Sequence, residues 1–252
     1  MTAKDLALKS ADDIKRIREC GLVLAGIFKA LEAVDFCSAT AWELDSFIDS
    51  CIVKKQARPA FKTIRGYDYA SCISVNNEVV HGIPLKRKKF TTGDIVKIDI
   101  GVVMNGFFSD ACRIFPVLPV SQTAEKLVMT AQHALDSAIA RMVPGNTIGD
   151  LGHSIQTAAE FGGFSVVKHF SGHGTGFALH EPPVVPNWGM PGLGRPLVPG
   201  MVLAVEPIVN EGAADIVRLP DGWTSVTVDG KLSAHCEHTI AVTDAGPLIL
   251  TG

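Results

Sequence analysis

Four stretches of this chain repeat apolar residues every three or four positions behind a polar cap, the spacing of a helix with one buried face. "SADDIKRIRECGLVLAGIFKALEAV" opens at Ser10, has Asp13 three residues on, and carries Ile14, Ile17, Ala25, Phe28 and Leu31 along one side. "TAWELDSFIDSCIV" sets Thr40 with Glu43 ahead of Leu44, Phe47, Ile48, Cys51 and Ile52. "SQTAEKLVMTAQHALDSAIARM" opens at Ser121 and repeats Leu127, Ala131, Ala134, Leu135, Ala138 and Met142. "TIGDLGHSIQTAAEFG" pairs Thr147 with Asp150 before Leu151, Ile155 and Ala158. Between these lie short runs rich in β-branched residues that predict strands: "SCISV", "DIVKIDIGVV", "FSVV", "MVLAVEPIV", "WTSVTV" and "HTIAVT".

The order helix, helix, strands therefore occurs twice. Thr40 and Thr147, which open the second helix of each set, are 107 positions apart, and Gly93 and Gly200 share that offset. So do Asp99 and Glu206, each six residues after its glycine. Three matches with one offset predict two related α/β halves. Set side by side, such halves make a curved sheet with helices outside and a cleft at the junction, a common place for a binding site.

The candidate chemistry concentrates on that junction. In "IDIGVVMNGFFSDACRIF" the pair Asn105-Gly106 is a hairpin turn signal, because both turn positions need positive φ. That turn sets residue 99 opposite 112, so Asp99 and Asp110 share a face as diagonal neighbours about 7–8 Å apart. Two facing carboxylates repel unless a cation lies between them, and the parity of Arg113 sends it to the other face. Glu206 ends the apolar run "MVLAVE", where a carboxylate is desolvated at a cost of several kcal/mol unless it is paired or ligated. "SAHCEHTIAV" adds Glu237, with His235 and His238 beside it. "SGHGTGFALHEPP" holds His173 and His180 seven residues apart, with Gly172, Gly174 and Gly176 round the first. Glycines so placed let backbone approach something closely without a Cβ in the way. His81, in "VVHGIP", stands at a tight exit marked by Gly82 and Pro84, whereas His133, His153 and His169 lack distinguishing context.

A set rich in oxygen and poor in nitrogen suits manganese, iron, cobalt or zinc and excludes soft thiolate sites. Four carboxylates carry more negative charge than one divalent ion neutralises. Two ions about 3.5–4 Å apart, sharing bridging carboxylates, fit better.

Composition narrows the remaining possibilities. The chain has 252 residues, 47% hydrophobic, and a formal net charge of −3, which gives no general pull toward nucleic acid or an anionic membrane. "MTAKDLALKSADD" lacks the apolar run of a signal peptide, and no later stretch approaches a membrane span. Six cysteines include no C-x-x-C pair, which predicts reduced thiols in a cytoplasmic protein, most of them small core residues. The one basic run, Lys86 to Lys89, reads as a solvated loop, with a contact to ribosomal RNA as the alternative.

Taken together, "HGIP", "IDIGVVMNGFFSDACR", "GHGTGFALHEPP", "PGMVLAVEPIV" and "CEHTIAVT" resemble the type I methionine aminopeptidases, members of the pita-bread metallohydrolases. The resemblance runs from about residue 10 to the C-terminus. It implies a single α+β catalytic domain over 1–252, with halves at about 10–118 and 119–252, a curved antiparallel sheet and helices on its outer face. It implies Asp99, Asp110, His173, Glu206 and Glu237 as ligands of two divalent ions (Co, Mn, Fe or Zn), with Asp110 and Glu237 bridging. It implies removal of the initiator methionine before a small second residue by a metal-bridging water or hydroxide. Glu206 is then the general base, His180 polarises the scissile carbonyl and His81 hydrogen-bonds near the leaving nitrogen. Tyr67, Cys72, Trp223 and Phe61 become the walls of the methionine pocket. Phe177 and Leu179 depart from the basic and aromatic residues the family often shows after "GHG", so the rim is expected to differ. The implied partners are N-termini of nascent polypeptides and, through Lys86 to Lys89, the ribosome. No membrane or specific DNA is implied, and the expected state is a monomer.

Aminopeptidase P and prolidase share the five ligands and cut before proline, but usually carry an N-terminal domain for which a first helix at Ser10 leaves no room. Type II methionine aminopeptidases have an insertion between the two glutamates, which are only 31 positions apart here. A non-catalytic peptide- or RNA-binding module on the same fold would be expected to have lost ligands, and all five are present.

Overall fold

Capping chemistry sets where the helices begin. In the computed structural model, which describes residues 6–252, α1 (Ala11–Leu31) and α2 (Ala41–Lys54) open at Ser10/Asp13 and Thr40/Glu43, each pair bonding reciprocally to the other's backbone N–H. Strands β1 (Arg58–Pro59), β2 (Ser71–Val75), β3 (Glu78–Val80), β4 (Ile95–Met104) and β5 (Phe107–Pro116) follow. The second half repeats the plan with α3 (Gln122–Ala140), capped by Ser121, and α4 (Ile148–Phe161), capped by the Thr147/Asp150 pair. After it come β6 (Ser165–Val166), β7 (Ser171–Gly174), β8 (Glu181–Pro186), β9 (Val202–Val205) and β10 (Ile208–Asn210). The chain ends with β11 (Ile216–Arg218), β12 (Ser225–Thr227), β13 (Ser233–His235), β14 (His238–Thr243) and β15 (Gly246–Ile249).

The helical faces follow the apolar spacing with two adjustments. All six apolar positions expected for α3 are buried, Met142 lying just past the helix end. On α1 the buried stripe runs through Ile17, Cys20, Val23, Leu24, Ile27, Phe28 and Leu31, leaving Ile14 and Ala25 only half-buried. On α2 Phe47 faces outward, and Asp45 is buried instead, accepting hydrogen bonds from the Ser71 N–H at 2.8 Å and hydroxyl at 2.7 Å. Helix α2 is thereby fastened to the start of β2 by a polar contact that apolar periodicity does not encode.

Every strand pairing is antiparallel. Strand β4 is the centre of the first half, with β5 on one edge and β2 and β1 along the other. The second half carries a sheet in the order β15-β14-β9-β7-β8, and two three-stranded sheets (β13-β10-β6 and β11-β12-β3) flank the junction. Asn105 and Gly106 take φ of 53° and 83°, and the hairpin sets Asp99 opposite Cys112 as its turn requires. The two large sheets meet through one bridge, Cys112 to Glu237, with backbone bonds of 3.0 and 3.4 Å. "MVLAVEPIV" does not make one strand. Pro207 has no N–H for a ladder, so β9 stops at Val205 and β10 begins in a different sheet at Ile208.

The repeat is visible in the backbone: Gly93 and Gly200 adopt φ of +101° and +92°, each two residues ahead of a strand, β4 and β9. Each half has its own apolar cluster, and a smaller one of Phe61, Tyr67, Cys72 and Leu179 lies at the cleft. Cys20, Cys72, Cys112 and Cys236 are buried, Cys51 is half-buried and Cys37 exposed. The basic run is not uniformly solvated. Lys86, Arg87 and Lys89 are exposed, but Lys88 reaches inward to Glu78 at 2.8 Å and the Ile73 carbonyl at 3.0 Å. Among the described residues no helix is long and apolar enough to cross a membrane.

Two helical glycines separate space from strain. A Cβ at Gly26, on the exposed side of α1, would meet nothing within 4 Å, whereas one at Gly152 in α4 would collide with the Trp188 carbonyl and stand 2.8 Å from that of Pro186. Gly26→Ala should therefore stabilise the fold by about 0.5–1 kcal/mol, and Gly152→Ala should destabilise it by about 1–3 kcal/mol. Urea melts of the two variants check both signs.

Candidate active site

Four buried or half-buried carboxylates converge where the halves join. Asp99 lies on β4 and Asp110 on β5, and the Asp110 carboxylate is among the neighbours that raise the pKa of Asp99. Glu237 precedes β14 and pairs its backbone with Cys112, the residue facing Asp99. Residues directly opposite in antiparallel strands share a face, so Asp99, Cys112 and Glu237 form a row across the seam, with Asp110 two residues along. The β9–β14 ladder ends at Val205 opposite His238. One step further sets Glu206 against Glu237.

His173, on β7, completes the group from the neighbouring strand. Its Nε2 stands 3.6 Å from Glu206 Oε1 and 3.9 Å from Asp110 Oδ2. Its Nδ1 donates to the Gly174 carbonyl at 3.0 Å; a carbonyl only accepts, so the proton is on Nδ1. Burial lowers the pKa of His173 to about 4, which leaves Nε2 with a free lone pair directed at the carboxylates, the tautomer a metal-ligating imidazole adopts. The crowding of glycines is steric: a Cβ on Gly172 or Gly174 would collide with the Ala204 or Pro182 carbonyl of the flanking strands.

The electrostatics are one-sided. Burial first, and then the neighbouring carboxylates, push Asp99, Glu206 and Glu237 well above the usual carboxylate range, and burial raises Asp110 to about 7. Asp99 Oδ1, Asp110 Oδ1 and Glu237 Oε1 are buried without a hydrogen-bond partner. Among the described residues the groups within ion-pair distance of the four are His173 and His235, and no lysine or arginine. Asp110, His173 and Glu237 can direct one donor atom each to within 4.8 Å of the others. Bare acid oxygens beside a neutral imidazole, with no basic side chain to compensate them, fit a divalent cation.

These groups open on a cavity of about 280 Å³. Its apolar wall contains Phe61, Ile64, Tyr67, Cys72 and Trp223, and Val80 and Phe170 also line it. Tyr67 packs edge-on against Trp223 at 5.0 Å and Phe61 at 6.4 Å, and its hydroxyl donates to the Ser71 carbonyl at 2.9 Å, 3.1 Å from Cys72 Sγ. Leu179 does not line the cavity but is buried in the apolar cluster with Phe61, Tyr67 and Cys72, whereas Phe177 turns outward against Phe107 and Lys9. Both departures from the expected rim thus have a place, one within that cluster and one outside it.

His81 and His180 reach the same cavity from loops. His81 has φ of +58°, an uncommon conformation for a residue other than glycine, and Gly82 follows where a Cβ would collide with the Ile73 carbonyl. Burial lowers its pKa to about 4, so it is neutral near pH 7. The ring of His180 meets that of His173 edge-on at 4.4 Å. His133, His153 and His169 are exposed and line none of it.

One titratable lining residue carried no assigned role in the sequence. His235 is buried on β13 with its Nε2 unbonded, 3.6 Å from Glu206 Oε2. Its parity with Glu237, two residues on, was the available signal. His238 has the opposite parity and turns away to the Thr251 hydroxyl at 2.7 Å.

The chain is similar to known proteins over nearly its whole length. The sequence description of metallopeptidase family M24 matches residues 15–244. The methionine aminopeptidase of Clostridium perfringens is 44% identical over 246 residues, 98% of this chain and 98% of that one. The crystal structure of a methionine aminopeptidase from Thermotoga maritima superposes with a TM-score of 0.96 at 42% identity, covering 98% of this chain and 99% of the other. The prolidase of Pyrococcus furiosus shares the fold, with a TM-score of 0.79 at 21% identity, this chain covering 65% of its length. The chain belongs to metallopeptidase family M24, among its methionine aminopeptidases, hydrolases that bind divalent metal and remove N-terminal methionine.

Proposed function

We propose that the cavity binds two divalent ions and releases methionine from polypeptide N-termini whose second residue is small. The observation that carries this reading is the set of four carboxylates and one neutral imidazole, uncompensated by any basic side chain among the described residues, directly beside an aromatic and thiol-lined pocket. Asp99, Asp110, His173, Glu206 and Glu237 would hold the ions, two being needed to balance four negative charges. Bound there, divalent ions supply Lewis-acid polarisation, an anchor for the free α-amine and a water acidic enough to ionise near neutral pH.

The chain's own groups supply the rest. Glu206 faces the cavity beside His173 and His235 and suits the general base, accepting the proton of the attacking water and returning it to the leaving amine. His180, its pKa lowered by burial, is neutral near pH 7 and can donate N–H to the scissile carbonyl oxygen. His81 can hold the leaving nitrogen. Tyr67, Cys72, Trp223 and Phe61 offer a flexible thioether an apolar wall with aromatic edges, a favourable contact for sulfur. A cavity of about 280 Å³ that must take the methionine leaves little room for a second large side chain. N-termini of nascent chains are the natural substrates on this reading.

Three outcomes test it. Mass spectrometry of Met-Ala- and Met-Leu-initiated peptides should show loss of methionine from the first only. A chelator should abolish that loss, and titration with Mn(II) should restore it at two ions per chain.

His81→Ala should lower kcat by about 10²–10⁴-fold with metal content, read by atomic absorption, unchanged. Loss of bound metal in that variant would refute the assignment of His81 to the leaving group.

Asp110 has a raised pKa when folded, so in chelated protein its ionisation lowers stability progressively as pH rises from about 4 through about 7. Asp110→Asn should therefore melt higher than the parent at pH 8 without metal and lose that advantage by about pH 4. With Mn(II) present the order at pH 8 should reverse, because binding stabilises only the intact site. Calorimetric scans check both.

A further inference from the structure

The loop that carries His180 is held by charged groups from far away in the chain. Lys9, in the segment before α1, and Glu181, next to His180, form an ion pair whose side chains are 2% and 9% exposed. Glu181 Oε2 takes the Lys9 ammonium, and its Oε1 accepts the backbone N–H groups of Phe177 and Ala178. The Lys9 ammonium also lies 5.0 Å from the Phe177 ring. Gly176 has φ of +127°, which disfavours any side chain, and a Cβ there would come within 2.6 Å of Ile17 and 2.8 Å of the Lys9 stem, so those side chains would have to shift. The Lys9 N–H bonds to the Gly200 carbonyl at 2.8 Å, immediately ahead of the strand that leads to Glu206.

We propose that Lys9 and Glu181 are positioning residues for the reaction: their buried pair fixes the 175–180 loop against α1 and so sets the reach of His180 into the cavity. This rests on the reading of His180 as a substrate contact. Neither residue lines the cavity, so any effect on turnover passes through the loop. A buried ion pair is a costly way to gain stability, since apolar side chains of similar size often serve as well. What it provides here is direction, because one carboxylate is bonded at once to an ammonium and to two amides of the loop. Placement of a group by about 1 Å can decide a hundredfold in rate, and His180 has no other side-chain tether among the hydrogen bonds of the described residues than the ring contact with His173.

The test compares the metal-loaded parent with Lys9→Met, Lys9→Arg, Glu181→Gln, His180→Ala and the Lys9→Met/His180→Ala double variant on a Met-Ala-Ser peptide. Lys9→Met and Glu181→Gln should each lower kcat about tenfold, within the range open to misplacement, with KM within about twofold. Lys9→Arg should recover most of the loss. In the His180→Ala background, Lys9→Met should cost nothing more, the signature of residues acting as a unit. Hydrogen exchange on metal-free protein gives a second readout. The amides of Phe177 and Ala178 should exchange about tenfold faster in Lys9→Met, with those of β4 and β9 unchanged. Losses that multiply in the double variant, parental kcat in both Lys9→Met and Glu181→Gln, or faster exchange over the whole chain would overturn the proposal. Parental turnover in His180→Ala would remove the reading it rests on, and the proposal with it, whatever the exchange at Phe177 and Ala178. If Lys9→Met does not fold, Glu181→Gln carries the same comparisons, since it removes the charge and keeps an acceptor for the two amides.

Discussion

Four carboxylates share one cavity in which no lysine or arginine among the described residues reaches them, and the architecture follows from making that tolerable. A single buried carboxylate costs several kcal/mol unless compensated, and here each raises the cost of the next. Among the described residues no lysine or arginine forms an ion pair with these carboxylates. Arg113, on the far side of the seam, donates instead to the backbone carbonyls of Glu237 at 3.0 Å and Thr251 at 3.1 Å. The positive side chain thus braces the strand through backbone carbonyls and leaves the carboxylate oxygens free for a divalent ion.

Holding mutually repelling groups together requires a frame that does not yield, and the duplicated halves supply it. Each contributes a strand behind a left-handed glycine, β4 and β9, and their neighbours, β5 and the residue ahead of β14, meet at Cys112 and Glu237. Thr239 locks the seam by accepting the Asp110 N–H at 3.0 Å and donating to the Asp110 carbonyl at 2.7 Å. Cys112, between Asp99 and Glu237 in the row, is small and makes its hydrogen bond to the His235 carbonyl at 3.3 Å. The acids are therefore carried on two ladders joined across the junction by the Cys112–Glu237 bridge and the Thr239 bonds, and they cannot separate without breaking those contacts.

What the sequence revealed and what it hid divide along the same physical line. Capping boxes at Ser10, Thr40 and Thr147, the Asn105-Gly106 turn and the Asp99/Asp110 face are local matters, decided by residues within a dozen positions of one another. The shared offset of Gly93 and Gly200 reported the duplication because the second half reuses the first half's turn chemistry. The break at Glu206-Pro207 was written in the proline, yet the apolar run on either side masked it. His235 was legible only through its parity with Glu237, and Lys88 not at all. The first depends on which sheet β13 joins, and the second on a loop folding back over Glu78. The strand formed by "SGHG" was hidden too, since glycines are poor strand formers and are here because flanking backbone leaves no space for anything larger.

The site also divides its labour by the stiffness of its supports. Asp99 and Asp110 lie within strands, Glu206 and Glu237 at strand ends, and His173 on a short strand fixed on both edges. His81 and His180 come from turns, where a side chain can be aimed at a substrate that strands alone would not reach. A turn is a weaker mount than a ladder, so each imidazole needs its own restraint. For His81 the restraint is local: a left-handed backbone, a glycine that admits no Cβ, and Thr224 bonded to the next amide at 3.3 Å. His180 has no such local lock. Its neighbour Glu181 carries the restraint out of the loop to Lys9, so the segment ahead of α1 is mechanically connected to the mouth of the cavity. Sequence separation hides that connection entirely, and only the closed fold brings an N-terminal lysine to bear on a histidine more than half the chain away.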